Sequence, residues 1–245
     1  MNMGDHFFVD IHTHILPGID DGAENVDVAF DMLNKQYEEG VRDIVLTPHF
    51  GAYNPDFDLN KAEEAFQNLR RKAVDKLPHL NLYPGNEILY SPGTVEALNQ
   101  GKAKPLAGTD YVLIEFLYEE EYATLLKAVK SLTMAGYRPV IAHVERYSCL
   151  LKDLDRVEDL IDQGAYIQVN GNSFLRGMLD KRFRFVKKLL KYDMIHIVAT
   201  DCHNMKGRRP EIKAMSEKIS QLAGETHMKQ IMCYNGRSLL NNEEI

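Results

Sequence analysis

Apolar positions along the chain fall into two alternating patterns. Phe7-Phe8-Val9, Asp43-Ile-Val-Leu-Thr47, Leu80-Asn-Leu-Tyr83, Tyr111-Val-Leu-Ile114, Pro139-Val-Ile-Ala142, Tyr166-Ile-Gln-Val169 and His196-Ile-Val-Ala-Thr200 read as seven short buried strands. Between them apolar residues recur at helical spacing. Val26, Ala29, Phe30, Leu33 and Tyr37 form one such set, with Gly40 as its stop, and Ala62, Phe66, Leu69, Ala73 and Leu77 form another. Further helices are expected near 93–99, 121–135, 153–163, 178–191, 210–222 and 226–234. Strands that alternate with helices imply a parallel sheet rather than a meander. The chain has no linker, repeat or low-complexity tract, so residues 1–245 read as a single α/β domain. Seven βα units suggest closure into a barrel related to the eight-stranded case, with an open doubly wound sheet as the alternative.

The residues at the end of each apolar run give the fold a chemistry. These seven ends carry His12 and His14, His49, Glu87, Glu115, His143, Asn170 and Asn172, and Asp201 and His203. In parallel α/β folds the carboxyl ends of the strands form the active-site face. Polar residues scattered over a surface would not select that end seven times. In Asp10-Ile-His12-Thr-His14, the i, i+2 spacing projects both imidazoles from one side of an extended chain. Pro17-Gly18 then forces a turn that brings Asp20-Asp21 back toward the same mouth. Alone, His-x-His is a weak motif; the other strand ends give it weight.

Composition narrows the partners. Hydrophobic content of 44% and charged content of 27% are ordinary for a soluble globular chain. No signal-like segment and no apolar run near the ~20 residues of a membrane span is present in the sequence, so the cytoplasm is the expected compartment and stable membrane insertion is not expected. Cys149, Cys202 and Cys233 are odd in number and lack CxxC spacing, which argues against a disulfide framework. A net charge of −7 argues against nucleic acid as the main partner.

Five of the nine histidines fall in the strand-end set, beside Asp21, Glu87, Glu115 and Asp201. That is more than one ion needs and predicts a cluster of two or three. Nitrogen and oxygen ligands without thiolate suit Mn, Fe or Zn. Such a cluster activates a bridging water and clamps a phosphoryl oxygen, so hydrolysis of a phosphoester is the expected reaction.

HTHILPGIDDGA, TPHF, GNEI, the Glu115-Phe116 pair, AHVERY and ATDCHN, in that order, resemble the PHP superfamily. Within it they are similar to the bacterial manganese-dependent protein tyrosine phosphatases of the CpsB type, over nearly the whole chain. The resemblance implies a distorted seven-stranded barrel and three divalent ions, most simply Mn. It implies that His12, His14, Glu87 and Asp201 hold one ion. Glu87, Glu115 and His143 would hold the second, and Asp21, His49 and His203 the third. It makes Arg146 a phosphate-binding residue, a metal-bridging hydroxide the nucleophile and His203 a possible proton donor. The implied substrate is a phosphotyrosine protein, such as a tyrosine kinase of capsule or exopolysaccharide synthesis.

Other readings compete with these. His49, His143 and His203 could each be an ordinary loop-mouth histidine, and Glu87 and Glu115 could be solvated helix starts. Asp20 competes with Asp21 as a ligand, and Asp10 could orient a ligand or serve the fold. Arg146 could pair with a neighbouring carboxylate, Asn170 and Asn172 read more readily as turn residues, and the Lys206–Arg209 run reads as a solvated face. His6, His79, His196 and His227 lie off the pattern. Cys202 and Arg208 have the C-x5-R spacing of cysteine-dependent phosphatases, but the intervening residues lack that loop's central glycine. A histidinol-phosphate phosphatase is the nearest alternative activity, followed by a regulatory metal-binding partner and a nuclease.

Overall fold

The computed structural model describes residues 7–245, and His6 lies outside the described residues. Among the described residues the strands are β1 (Phe8–Thr13), β2 (Val41–Leu46), β3 (His49–Phe50), β4 (Asn81–Pro84) and β5 (Glu87–Leu89). They continue as β6 (Tyr111–Glu115), β7 (Arg138–Ile141), β8 (Tyr166–Asn170) and β9 (Ile197–Ala199). The helices are α1 (Val26–Glu38), α2 (Leu59–Lys76), α3 (Thr94–Asn99), α4 (Tyr122–Met134) and α5 (Leu154–Asp162). After them come α6 (Lys181–Lys191), α7 (Ile212–Ala223), α8 (Glu225–Lys229) and α9 (Asn235–Leu240). Side chains of Asn25, Asp58 and Asp180 accept main-chain N–H groups at the starts of α1, α2 and α6, a device worth about 1 kcal/mol each.

The strands form two parallel sheets, ordered β1-β2-β4 and β3-β5-β6-β7-β8-β9. Seven unbroken strands were expected; nine segments form instead, because two strand paths break. At Thr47-Pro48 the proline has no N–H to give the ladder. At Gly85-Asn86 the chain leaves strand geometry again. Pairing still runs across both breaks, since the N–H of Gly85 reaches the Leu46 carbonyl and that of Glu87 reaches the Pro48 carbonyl. The two sheets also meet where β1 passes the segment after β9: Asp201 N–H donates to the His12 carbonyl and His14 N–H to the Cys202 carbonyl, each at 2.9 Å.

Side-chain alternation divides the core. Val9 and Ile11, Tyr111 and Leu113, Val140 and Ala142, and Ile197 and Ala199 pack with one another and with Leu239 of α9. The alternate positions, such as Ile44, Ile114, Ile141, Ile167 and Val198, pack beneath the helices. Both faces of the curled sheet are thereby buried, as parallel sheets require. The helical pattern expected at 226–234 resolves into α8 and a π turn at Gln230–Tyr234, and α9 continues without a break.

Candidate metal centre

β1 delivers two imidazoles to one point. His12 and His14 are fully buried, with their Nε2 atoms 3.3 Å apart. The loop after β1 folds back so tightly that a Cβ on Gly22 would sit 1.9 Å from the His14 carbonyl oxygen, so only glycine fits there. Ala23 N–H donates to that carbonyl. The fold-back separates the two adjacent aspartates. Asp20 accepts from Gly22 N–H and His49 N–H, and its Oδ2 lies 2.7 Å from His14 Nδ1. Asp21 instead faces His49 Nε2 at 3.5 Å and His203 Nε2 at 3.4 Å.

The remaining strand ends converge on the same point, though by a different route than expected. His49 and Glu87 are the first residues of β3 and β5, just past the two breaks, rather than the last residues of their strands. His143 and Asp201 adopt left-handed backbone, φ 33° and 52°, a conformation uncommon outside glycine that clusters at functional sites. Three groups of ligand atoms result. His12, His14, Glu87 and Asp201 form one, as the resemblance implies. Asp21, His49 and His203 form another, with His14 added. The third is His49, Glu87 and Glu115; His143 is not in it. Its Nε2 is 2.7 Å from Glu87 Oε1 but 3.8 Å from Glu115 Oε2.

The electrostatics fit cations. Burial opposes charge on His14, yet Asp20 and Glu87 outweigh it and hold its pKa well above the ordinary value. Burial and the nearby Glu87 carboxylate push Glu115 up to about 7. Glu87 is held well below its usual range by His12, His14 and His143 despite its burial. The buried Nε2 of His203 has no hydrogen-bond partner and stands 3.4 Å from Asp21 Oδ1. Carboxylates packed this closely in a buried site are stable only beside positive charge. The oxygen and nitrogen donor set fits hard or borderline divalent ions.

A profile for capsular polysaccharide synthesis, CpsB/CapC, matches residues 8–241. The chain belongs to the CpsB/CapC family. The tyrosine-protein phosphatase CpsB of Streptococcus agalactiae is 31% identical over 244 residues, spanning 97% of this chain and 100% of that protein. The tyrosine-protein phosphatase YwqE of Bacillus subtilis (strain 168) is 30% identical over 240 residues, 97% of this chain and 93% of its own. A crystal structure from work on YwqE of Bacillus subtilis and CpsB of Streptococcus pneumoniae, described as unique metal-dependent tyrosine phosphatases, matches with TM-score 0.89. It is 28% identical and covers 97% of this chain and 96% of that one.

Beyond the strand-end set, this CpsB/CapC chain carries site residues that sequence reasoning passed over. Gln168, inside β8, has its Oε1 3.2 Å from His12 Nδ1 and accepts the His143 N–H at 2.7 Å. Its amide donates to Asn170, and Asn170 donates to Asp201 Oδ2 at 2.7 Å. Asn170 is thus more than a turn residue. A cavity of about 380 Å³ opens over the carboxylates, lined by Arg146, Arg208, Tyr53, Phe116, Tyr118 and Tyr147 among others. Arg146 and Arg208 each place a guanidinium nitrogen on Asp201, at 2.5 and 2.7 Å. Arg208 is therefore part of the mouth and not a solvated face.

Two candidates fall away from the centre. Cys202 is fully buried with its sulfur accepting from Gln36, and burial beside Asp10 pushes its thiol pKa up, the reverse of what a nucleophile needs. Asp10 accepts from Thr200, Gln36 and the His12 N–H, so it holds the backbone of β1 and the β9 end together rather than orienting an imidazole.

Proposed function

We propose that this chain hydrolyses phosphotyrosine in proteins, as its CpsB and YwqE relatives' names indicate, and that Mn is its preferred metal, which the nitrogen and oxygen donor set suits. The observation that carries the reading is the cavity: two guanidinium groups beside the ligand cluster, with four aromatic side chains as walls. That shape takes a phenyl phosphate, anion inward and ring between aromatic faces.

In this reading three ions are held. His12, His14, Glu87 and Asp201 hold one. Glu87, Glu115 and His143 would hold a second. Asp21, His49 and His203 hold the third. When bound, such ions supply an activated water near neutral pH and neutralise charge on phosphoryl oxygens. Arg146 and Arg208 turn from Asp201 to the phosphate oxygens and fix the phosphorus in line. The leaving phenolate has a pKa near ~10 and departs with little acid help. The buried Nε2 of His203 has no hydrogen-bond partner and faces Asp21, so we assign it to holding an ion rather than donating a proton.

We further take β2 with β3, and β4 with β5, as single paths, which makes seven strands around one distorted barrel in one domain over residues 1–245. The phosphoprotein is inferred to be a cytoplasmic tyrosine kinase of capsule or exopolysaccharide synthesis. The test is hydrolysis of a phosphotyrosine peptide and of histidinol phosphate, with EDTA, with Mn readdition and with Cys202→Ser. Activity on the peptide that falls with EDTA, returns with Mn and ignores the serine supports the reading. Preference for histidinol phosphate, or activity that survives EDTA and dies with Cys202→Ser, overturns it.

A further inference from the structure

The chain carries −7 overall, yet residues 176–191 hold Arg176, Lys181, Arg182, Arg184, Lys187, Lys188 and Lys191 against Asp180 alone. That is seven of its 29 cations in one short segment. α6 buries Phe183, Phe185, Val186, Leu189 and Leu190 in the core, so Arg184, Lys187, Lys188 and Lys191 share the outward face at i, i+3, i+4, i+7 spacing. All four are exposed, as is Lys181, and none of the five makes an ion pair among the described residues. The acids that flank α6 are engaged elsewhere. Asp180 caps the helix and pairs with Arg176, and Asp193 faces His227. Between α6 and α7–α8 runs a groove of about 660 Å³, floored by Leu190, Leu222 and Ala223 and rimmed by the same four cations. The loop entering α6 presents Met178 and Leu179 to solvent at 78% and 90% exposure.

Unpaired cations, an apolar-floored groove and an apolar tip together match an amphiphilic, anionic surface. We propose that the outer face of α6, with the Met178-Leu179 tip, docks the protein on an anionic lipid bilayer. No helix is long and apolar enough to cross a membrane among the described residues, so the contact is peripheral. The cations meet lipid phosphates, and the two apolar side chains enter the interface. An acidic peptide would satisfy the lysines but leave Met178 and Leu179 without a role. On the opposite side of α6 from these cations, Arg182 donates to the Tyr118 hydroxyl at 3.4 Å, and Tyr118 lines the phosphate cavity.

The test is co-sedimentation of the full chain, loaded with Mn and without substrate, with phosphatidylcholine vesicles that contain or lack phosphatidylglycerol. The expected result is pelleting only with phosphatidylglycerol at about 0.1 M salt and release at about 1 M, where screening is nearly complete. Lys187→Glu with Lys188→Glu should weaken binding about tenfold or more. Met178→Ser with Leu179→Ser should also weaken it. Both variants should keep wild-type hydrolysis of soluble p-nitrophenyl phosphate, which certifies their fold. A wild-type protein that stays in the supernatant overturns the proposal. So does equal binding to uncharged vesicles, or binding unchanged in the charge-reversed variant. Retention of polyglutamate without any vesicle binding would place an acidic polypeptide on this face instead. The assay uses no phosphotyrosine, so its failure leaves the phosphatase reading untouched.

Discussion

Oδ2 of Asp20 lies 2.7 Å from Nδ1 of His14, while the adjacent Asp21 carboxylate faces His49 and His203. Asp20 therefore sets the ring orientation and tautomer of His14, leaving Nε2 for the cluster, and Asp21 is itself a candidate ligand. The two substitutions should separate. Asp20→Asn keeps the full complement of ions but binds Mn about 10–100-fold more weakly, with activity recovered at high Mn. Asp21→Asn loses an equivalent of metal that excess Mn does not restore. Elemental analysis after gel filtration and Mn titration of activity distinguish them, and equal behaviour of both variants would contradict the division of labour.

Gln168 serves His12 Nδ1 and the His143 N–H through one oxygen. Removing that oxygen frees the His12 ring and leaves the N–H of a left-handed residue buried without a partner. Gln168→Leu should lower unfolding free energy by about 1–3 kcal/mol and weaken Mn binding in parallel. Urea unfolding of the metal-free protein reads the first effect and Mn titration the second. A stability loss with unchanged Mn affinity would make Gln168 a packing residue only.

Arg146 and Arg208 both contact Asp201 and both line the cavity. Loss of either guanidinium should act on the phosphate-bearing state. Arg146→Ala should cut kcat/KM for a phosphotyrosine peptide by about 10²–10³, and Arg146→Lys should recover little, because an ammonium cannot form the two-pronged contact. Arg208→Ala should raise the Ki for inorganic phosphate as competitive inhibitor. If phosphate inhibits Arg208→Ala as it does the wild type, Arg208 merely steadies Asp201.

The strand-end histidines and acids were legible because a parallel sheet sends every strand's carboxyl end to one face, so chain order alone located His12, His14, Glu115, His143 and Asp201. The two strand breaks were not anticipated: seven unbroken strands were expected, although Pro48, which lacks an N–H for the ladder, lies at one of the breaks. The grouping of ligands was not legible, since it depends on ångström-scale placement: His49 Nδ1 lies 3.1 Å from Glu87 and 2.8 Å from Glu115, and no spacing rule contains that. Gln168 left a signal that periodicity discards. One amide in a strand buried on both faces must find a partner, and here the partners are site residues. Arg208 was noticed only through its C-x5-R spacing from Cys202 and as part of a basic run; the turn that brings the His203 N–H to the Arg208 carbonyl folds it back over Asp201. Tyr53 and Tyr118 sit in loops, where no hydrophobic period reports position.

His196 offers a pH dependence separate from the metal centre. Its Nδ1 accepts the Ile167 N–H at 3.1 Å, and burial lowers its pKa to about 4. The unfolded chain titrates near ~6.5. Between those values the unfolded state binds more protons, so stability rises with pH across the interval and falls as pH drops through it. The contribution is intact above about 6.5 and fully lost below the folded value, a difference of at most about 3 kcal/mol. His196→Asn keeps an acceptor for the Ile167 N–H but cannot titrate. Unfolding of the metal-free proteins by urea at neutral pH and near the folded pKa should therefore show a smaller acid loss in the variant. The other histidines titrate alike in both proteins, so the difference isolates this ring. Equal acid losses would mean that His196 protonates in the folded state with little penalty, and that the Ile167 N–H readily exchanges its partner.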